Sequence, residues 1–224
     1  MPIDSAGLQQ GLAELRELAV AKLEADPLPV GKEAEQRLRA DIERYELEGE
    51  IADLETKGYT VLPPGKAAPI DFFDRLRDAI IRAAADDHNA PRPGTGHTIQ
   101  HLLPQDPVFQ EAITCPVTLT LVTYMVGFRA KISQTTGLVK DSSTPPLRIH
   151  ADHSNKIPAP WPSLAQYCNL NWICSDYTRE NGAICVWPGS HRWGRPVPAD
   201  LRMAQEHPEM EVMEVERGSV LVWH

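Results

Sequence analysis

The sequence predicts an α+β fold that is mainly β, a jelly-roll barrel with helices along one flank. Two observations lead to this prediction. Helical periodicity dominates up to residue 127, whereas from Phe128 onward the chain consists of short apolar runs separated by Pro, Gly, Asn and Asp. Regularly spaced short strands that follow a helical half are typical of a jelly roll with a helical flank.

The length and composition indicate one domain with additions. The chain has 224 residues, of which 42% are hydrophobic and 24% charged, so it can bury one sizeable core but is short for two. We expect a helical extension over residues 1–57 and a jelly-roll domain over residues 58–224.

The charge and the hydropathy of the chain argue against nucleic-acid and membrane partners. The net charge is -9, the pI is near 5.4, and no basic stripe is present, which argues against nucleic acid. No apolar segment approaches the roughly 18 residues of a membrane span, and the N-terminus lacks the pattern of a secretory signal. We therefore expect a cytoplasmic protein without a membrane partner, and leave its oligomeric state open.

The helical half contains four amphipathic segments bounded by recognisable breakers. Gly58 suits the left-handed residue that ends a helix, Asp71 suits an N-cap, and Pro116 and Gly127 suit a helix start and end. The predicted helices cover residues 8–23, 32–57, 72–85 and 115–126.

The second half is predicted as strands, preceded by one strand among the helices. The predicted strands cover residues 59–62, 128–133, 147–151, 168–175, 183–187, 212–215 and 219–223. The four cysteines form no C-x-x-C pair, so buried apolar thiols are favoured over a zinc or redox motif.

His150 and Asp152 are the candidate metal ligands and catalytic residues. They lie two positions apart at the end of a predicted strand, so both side chains project from one face. An imidazole and a carboxylate, completed by a second histidine from a distant strand, can hold iron(II) and leave coordination positions open. The alternative is a strand-end pair in which the carboxylate only orients the imidazole.

Two segments downstream carry a family resemblance. The stretch DYTRENGA at residues 176–183 leads into a short strand and then WPGSHR at residues 187–192. In its order and spacing after the H-x-D triplet, this pattern resembles the phytanoyl-CoA hydroxylase family. The Asn181-Gly182 and Pro188-Gly189 pairs also have a plain structural reading as turn residues, and we favour a structural role for His191.

The resemblance implies an activity and further site residues. It implies a jelly-roll (double-stranded β-helix, cupin-like) oxygenase that uses Fe(II) and 2-oxoglutarate to hydroxylate a small organic substrate, releasing succinate and CO2. Gln134 and Lys140, spaced as in the family, would bind 2-oxoglutarate, and Asn171 would line the same space. The plain alternatives are an edge-strand glutamine, a surface lysine and an asparagine that serves strand pairing.

The resemblance also implies residues that we do not expect within this sequence. In the family a second histidine ligand and an arginine for 2-oxoglutarate follow the last-but-one barrel strand. The resemblance therefore places both residues, together with the last strands of the barrel, beyond residue 224, and we do not favour His224 as the ligand. Two rivals remain: a non-catalytic jelly-roll binding module that lost productive metal chemistry, and a cupin-like isomerase with another divalent metal. The substrate itself is not predicted.

Overall fold

The structure is a computed structural model of the chain. It describes seven residues between positions 10 and 21, and then residues 28–87, 96–141, 144, 147–152, 158–201, 204 and 206–224. The described residues of the first predicted helix, 8–23, are all helical. Five further helices are Gly31–Tyr45 (α1), Glu48–Lys57 (α2), Ile70–Asp86 (α3), Pro107–Ile113 (α4) and Pro116–Val126 (α5).

Among the described residues, seven short strands form three antiparallel sheets. The strands are Tyr59–Leu62 (β1), His97–Gln100 (β2), Thr136–Val139 (β3), Asn169–Trp172 (β4), Cys185–Val186 (β5), Glu211–Val212 (β6) and Val220–Trp223 (β7). The main sheet has the order β1-β7-β4, and β2 pairs with β3 and β5 with β6. No closed barrel is formed among the described residues, so the mixed α and β content is confirmed and the jelly roll stays a prediction.

The main sheet separates two hydrophobic clusters. Val220 and Val222 of β7 face the larger cluster, which contains helix residues such as Phe73 and Leu121, whereas Leu221 faces the smaller one with Ile173. Because side chains alternate along a strand, a central strand buried on both faces is apolar at every position. Val220, Leu221 and Val222 are fully buried, which places β7 at the centre of the fold.

Leu47, which lies between α1 and α2, and Leu54 of α2 pack in the larger cluster beside Leu62, Phe73 and Val222. The division at residue 57 stays a prediction. None of the helices in the described part of the chain is both long and apolar enough to cross a membrane.

Several predicted elements are confirmed. Strand β1 has the predicted bounds, α5 runs from Pro116 to the residue before Gly127, and Gly58 ends α2 with a φ of 87°. Strands β4, β5, β6 and β7 lie within or beside the predicted runs and are shorter. The cysteines are free, with Cys115 buried and the others partly buried.

The predicted single helix over residues 32–57 is wrong. The chain leaves α1 through Glu46 in the left-handed region, with a φ of 52°, and places Leu47 in the core before α2 begins. Burial of one apolar side chain outweighs the local cost of this backbone conformation. Asp71 is not the N-cap of α3 either, because the helix begins at Ile70 after Pro69.

Two predicted strands, over residues 128–133 and 147–151, are absent. Residues 129–134 are exposed and non-helical, and the strand of this region is β3, which pairs with β2. In the second segment Leu147 is 46% exposed, and Ile149 N–H donates to the Ala204 carbonyl at 2.9 Å. No ladder of such bonds forms between this segment and the rest of the described chain. An apolar run without a partner strand does not form a sheet. Strand β2 and helix α4 were not predicted.

Candidate metal site

His150 and Asp152 lie side by side at the surface of the main sheet. His150 Nε2 is 3.4 Å from Asp152 Oδ1, and the two side chains are 53% and 44% exposed. Since nitrogen and carboxylate ligands bind a metal ion at roughly 2.0–2.2 Å, one ion can contact both atoms at this separation. The two side chains lie close together as expected, although no strand brings them together, and their role as metal ligands stays a prediction.

The imidazole of His150 is held in a defined orientation. Its Nδ1 lies 2.8 Å from the Arg148 carbonyl, which can only accept, so the N–H is on Nδ1 and the lone pair is on Nε2 when the ring is neutral. The Asp152 carboxylate raises the pKa of His150, burial opposes this, and the Arg148 carbonyl adds to the rise. A proton and a cation therefore compete for the same nitrogen.

The Asp152 carboxylate is held by a side chain that sequence reasoning did not assign to the site. Asn169 Nδ2 donates to Asp152 Oδ2 at 2.9 Å. The two residues are 17 positions apart, so local spacing gave no sign of the contact. The available signal was the presence of two asparagines in an otherwise apolar strand.

Strand β4 separates polar and apolar side chains onto opposite faces, as expected from alternation. Leu170 and Trp172 pack against the larger cluster, where Trp172 lies 5.1 Å from Phe72 between ring centroids. Asn169 and Asn171 face the other way. Asn171 Nδ2 donates to the Tyr177 hydroxyl at 2.9 Å, and burial raises the pKa of Tyr177.

Lys140 and Gln134 lie on either side of β3. Lys140 Nζ donates to the Gly182 carbonyl at 3.2 Å, which places the ammonium at the turn after β4, and burial lowers its pKa. Gln134 lies in the irregular segment before β3 and is exposed. The structure thus brings Lys140 to a turn of the predicted motif, whereas Gln134 makes no comparable contact with the residues that the structure describes.

The comparison with known proteins bears on these residues. A model of the phytanoyl-CoA dioxygenase family, PhyH, matches residues 30–224. This chain belongs to the phytanoyl-CoA dioxygenase family. The resemblance found in the two motif segments is confirmed.

Relatives of this PhyH chain are distant. The dioxygenase af480 of Aspergillus fumigatus is 26% identical over 154 residues, which are 66% of this chain and 50% of that protein. The chain therefore spans about half the length of this curated relative.

Solved structures share the fold at low identity. HygX from Streptomyces hygroscopicus, with nickel and 2-oxoglutarate bound, has a TM-score of 0.58 and 19% identity over 79% of this chain and 76% of HygX. SnoK, a non-haem α-ketoglutarate-dependent carbocyclase from nogalamycin biosynthesis, has a TM-score of 0.60 and 17% identity over 79% and 74% of the two chains.

The PGSHR turn of this PhyH chain docks on the end of α2. Gly189 N–H donates to the Lys57 carbonyl at 2.8 Å, and Arg192 and His191 Nε2 donate to the Glu55 carbonyl, the latter at 3.3 Å. These donors satisfy carbonyls that a helix C-terminus leaves open. Burial lowers the pKa of His191. The structural role predicted for His191 agrees with these contacts.

His224 belongs to the same corner of the PhyH chain. Its ring centroid lies 5.8 Å from that of His191, and its backbone N–H donates to the Gly58 carbonyl at 2.9 Å. Within the described residues, no group of three or more His, Cys, Asp or Glu side chains is arranged to hold a metal. His150 and Asp152 thus supply two donors of suitable chemistry, and His224 does not complete them.

Proposed function

We propose that this chain carries the iron and co-substrate site of an Fe(II)- and 2-oxoglutarate-dependent oxygenase that hydroxylates a small organic molecule, with release of succinate and CO2. The observation that carries the proposal is the 3.4 Å approach of His150 Nε2 to Asp152 Oδ1, with the N–H of the neutral imidazole directed away to Arg148. When bound, iron and 2-oxoglutarate would supply the oxidising chemistry, and the protein would supply position and shielding.

His150 and Asp152 would hold the metal. Both side chains are partly exposed, and a third ligand would come from outside the pair. Because Asp152 provides a carboxylate ligand, hydroxylation is proposed rather than the halogenation found in relatives that lack it.

Lys140, Asn171 and Gln134 would bind 2-oxoglutarate. Lys140 presents a partly desolvated ammonium, which a carboxylate would stabilise as a charge-assisted partner. Asn171 offers an amide on the face of β4 that also carries Asn169. That HygX binds 2-oxoglutarate on a similar fold supports this assignment, and Gln134, which is exposed, has the least support from the geometry.

A second candidate is a binding module of the same fold without productive metal chemistry. It is favoured by one observation, that only two suitable donors come together in the described part of the chain. A cation bound by two protein ligands is held weakly. The two candidates differ in whether iron and 2-oxoglutarate bind together.

The first test takes the protein at its full natural length, adds Fe(II) and 2-oxoglutarate without oxygen, and looks for the weak visible charge-transfer band of the chelate. The band should appear in the wild type, vanish in His150→Ala, and need a higher 2-oxoglutarate concentration in Lys140→Ala. His101→Asn is the matched control, because it removes an exposed histidine at a φ of 57° that asparagine tolerates.

The second test admits oxygen and measures succinate. Succinate that depends on iron and on His150 would support the oxygenase. A folded protein that gives neither band nor succinate would contradict it and favour the binding module.

A further inference from the structure

Asn169 is anchored more firmly than a surface asparagine. Its backbone is fixed in β4 opposite Trp223 of β7, and the next residue, Leu170, packs into the larger cluster on the other face. Its amide donates to Asp152 Oδ2 at 2.9 Å. The amide group therefore projects from a rigid sheet toward the carboxylate.

Asparagine is a poor residue for this place on local grounds. It is depleted in strands, where β-branched and aromatic side chains pack better. Positions that contradict local preference are expected where function requires the residue. The contact with Asp152 accounts for this choice of residue at position 169.

We propose that Asn169 is a positioning residue for the metal-binding carboxylate. By engaging Oδ2, it leaves Oδ1 directed at His150 Nε2, so that Asp152 binds a cation through one oxygen. In the same way, the Arg148 carbonyl accepts a hydrogen bond from Nδ1 of His150 and so fixes the orientation of that imidazole. Each of the two side chains then has one polar atom held by the protein and the other facing its partner, and this inference rests on the proposed metal site.

The test measures the affinity of the protein for Co(II), used alone as an oxygen-stable probe of the iron site, by calorimetric titration without 2-oxoglutarate. Asn169→Leu removes the N–H at similar size and should weaken Co(II) binding roughly tenfold or more, the usual effect of losing a group that orients a ligand. Asn169→Gln, which retains an amide donor, should recover part of the affinity.

The controls separate positioning from folding. Gln166→Ala removes an exposed amide three residues earlier, which donates to the neighbouring Leu164 and Ala165 carbonyls, and should bind Co(II) like the wild type. The melting temperature of each metal-free variant is measured in parallel. If Asn169→Leu fails to fold, Asn169→Ser, which is small and polar, replaces it in the same comparison.

The outcomes distinguish this inference from the proposed function. Loss of Co(II) affinity in the folded Asn169 variants, with partial recovery by Asn169→Gln, supports positioning. Wild-type affinity in those variants, together with lost binding in His150→Ala, overturns positioning and leaves the metal site intact. Absence of Co(II) binding in the wild type overturns both.

Discussion

Gly58 and His191 pack so closely that a β-carbon on Gly58 would lie 2.8 Å from His191 Cγ. Gly58 also has a φ of 87°, in the left-handed region that L side chains rarely adopt. A side chain at position 58 is therefore disfavoured for two reasons, the left-handed backbone conformation and the steric overlap with the imidazole of His191.

Gly58→Ala should destabilise the protein more than a left-handed backbone alone explains. The backbone cost is about 1–2 kcal/mol, and the steric overlap should add at least about 1 kcal/mol to the loss in free energy of unfolding, measured with urea. Gly65→Ala is the matched control, since Gly65 has a φ of 84° and open space around it. His191→Ala combined with Gly58→Ala should recover the steric part, and strict additivity would contradict the account.

Phe73→Ala should cost about 3–5 kcal/mol of stability, because Phe73 is fully buried and its removal leaves a cavity beside Trp172. Ile81→Ala on the same helix, where the side chain is 54% exposed, should cost less than about 1 kcal/mol. Thermal unfolding of both variants checks the difference. Equal losses would show that the core is not centred where α3 meets the sheet.

Metal binding should weaken as the pH falls. Asp152 raises the pKa of His150, so protonation of Nε2 should begin to compete with a cation at a higher pH than for an ordinary histidine. Below that pKa, Co(II) affinity should fall about tenfold per pH unit, and above it His150 should cause no further change. Titrations across a pH series test this, and an affinity that stays constant through the acid range would contradict His150 as a ligand.

Cys168 and Cys174 should react slowly with iodoacetamide in the folded protein. Burial raises the pKa of each thiol to about 12, so little thiolate is present near pH 8. Alkylation followed by mass spectrometry should show rates roughly a hundredfold or more below those of the urea-unfolded chain. Equal rates before and after unfolding would mean that these thiols are not buried.

The predictable elements of the fold are those whose ends are marked by neighbouring residues in the sequence. Strand β1 lies between Gly58 and Pro63, and α5 runs from Pro116 to the residue before Gly127, so Gly or Pro marks both ends of each element. Helix α1 ends before Glu46, without a glycine or proline at that position. The helix ends there because Leu47 is buried against residues distant in sequence. Whether residues 147–151 form a strand likewise depends on a partner strand, and no local sequence pattern reveals whether such a partner is present.

The candidate site divides in the same way. The H-x-D triplet predicts His150 and Asp152 as metal ligands, which stays a prediction, and the turn motifs led to the family, which was confirmed. The contact of Asn169 with Asp152 and that of Lys140 with Gly182 join segments far apart in sequence. Such contacts depend on how the sheet packs, and the pattern of residues in a single sequence does not predict them.

The pairing of β1 with β7 has a consequence for how the protein folds. Tyr59 lies opposite Trp223, so the earliest strand of the described chain finds its neighbour only in the last one. Pairings between distant segments are slow to form, and during synthesis β1 must wait until β7 has left the ribosome. In that interval the apolar faces of the helices have no sheet to cover them. We therefore expect nascent chains of this protein to depend on chaperones until β7 has been added.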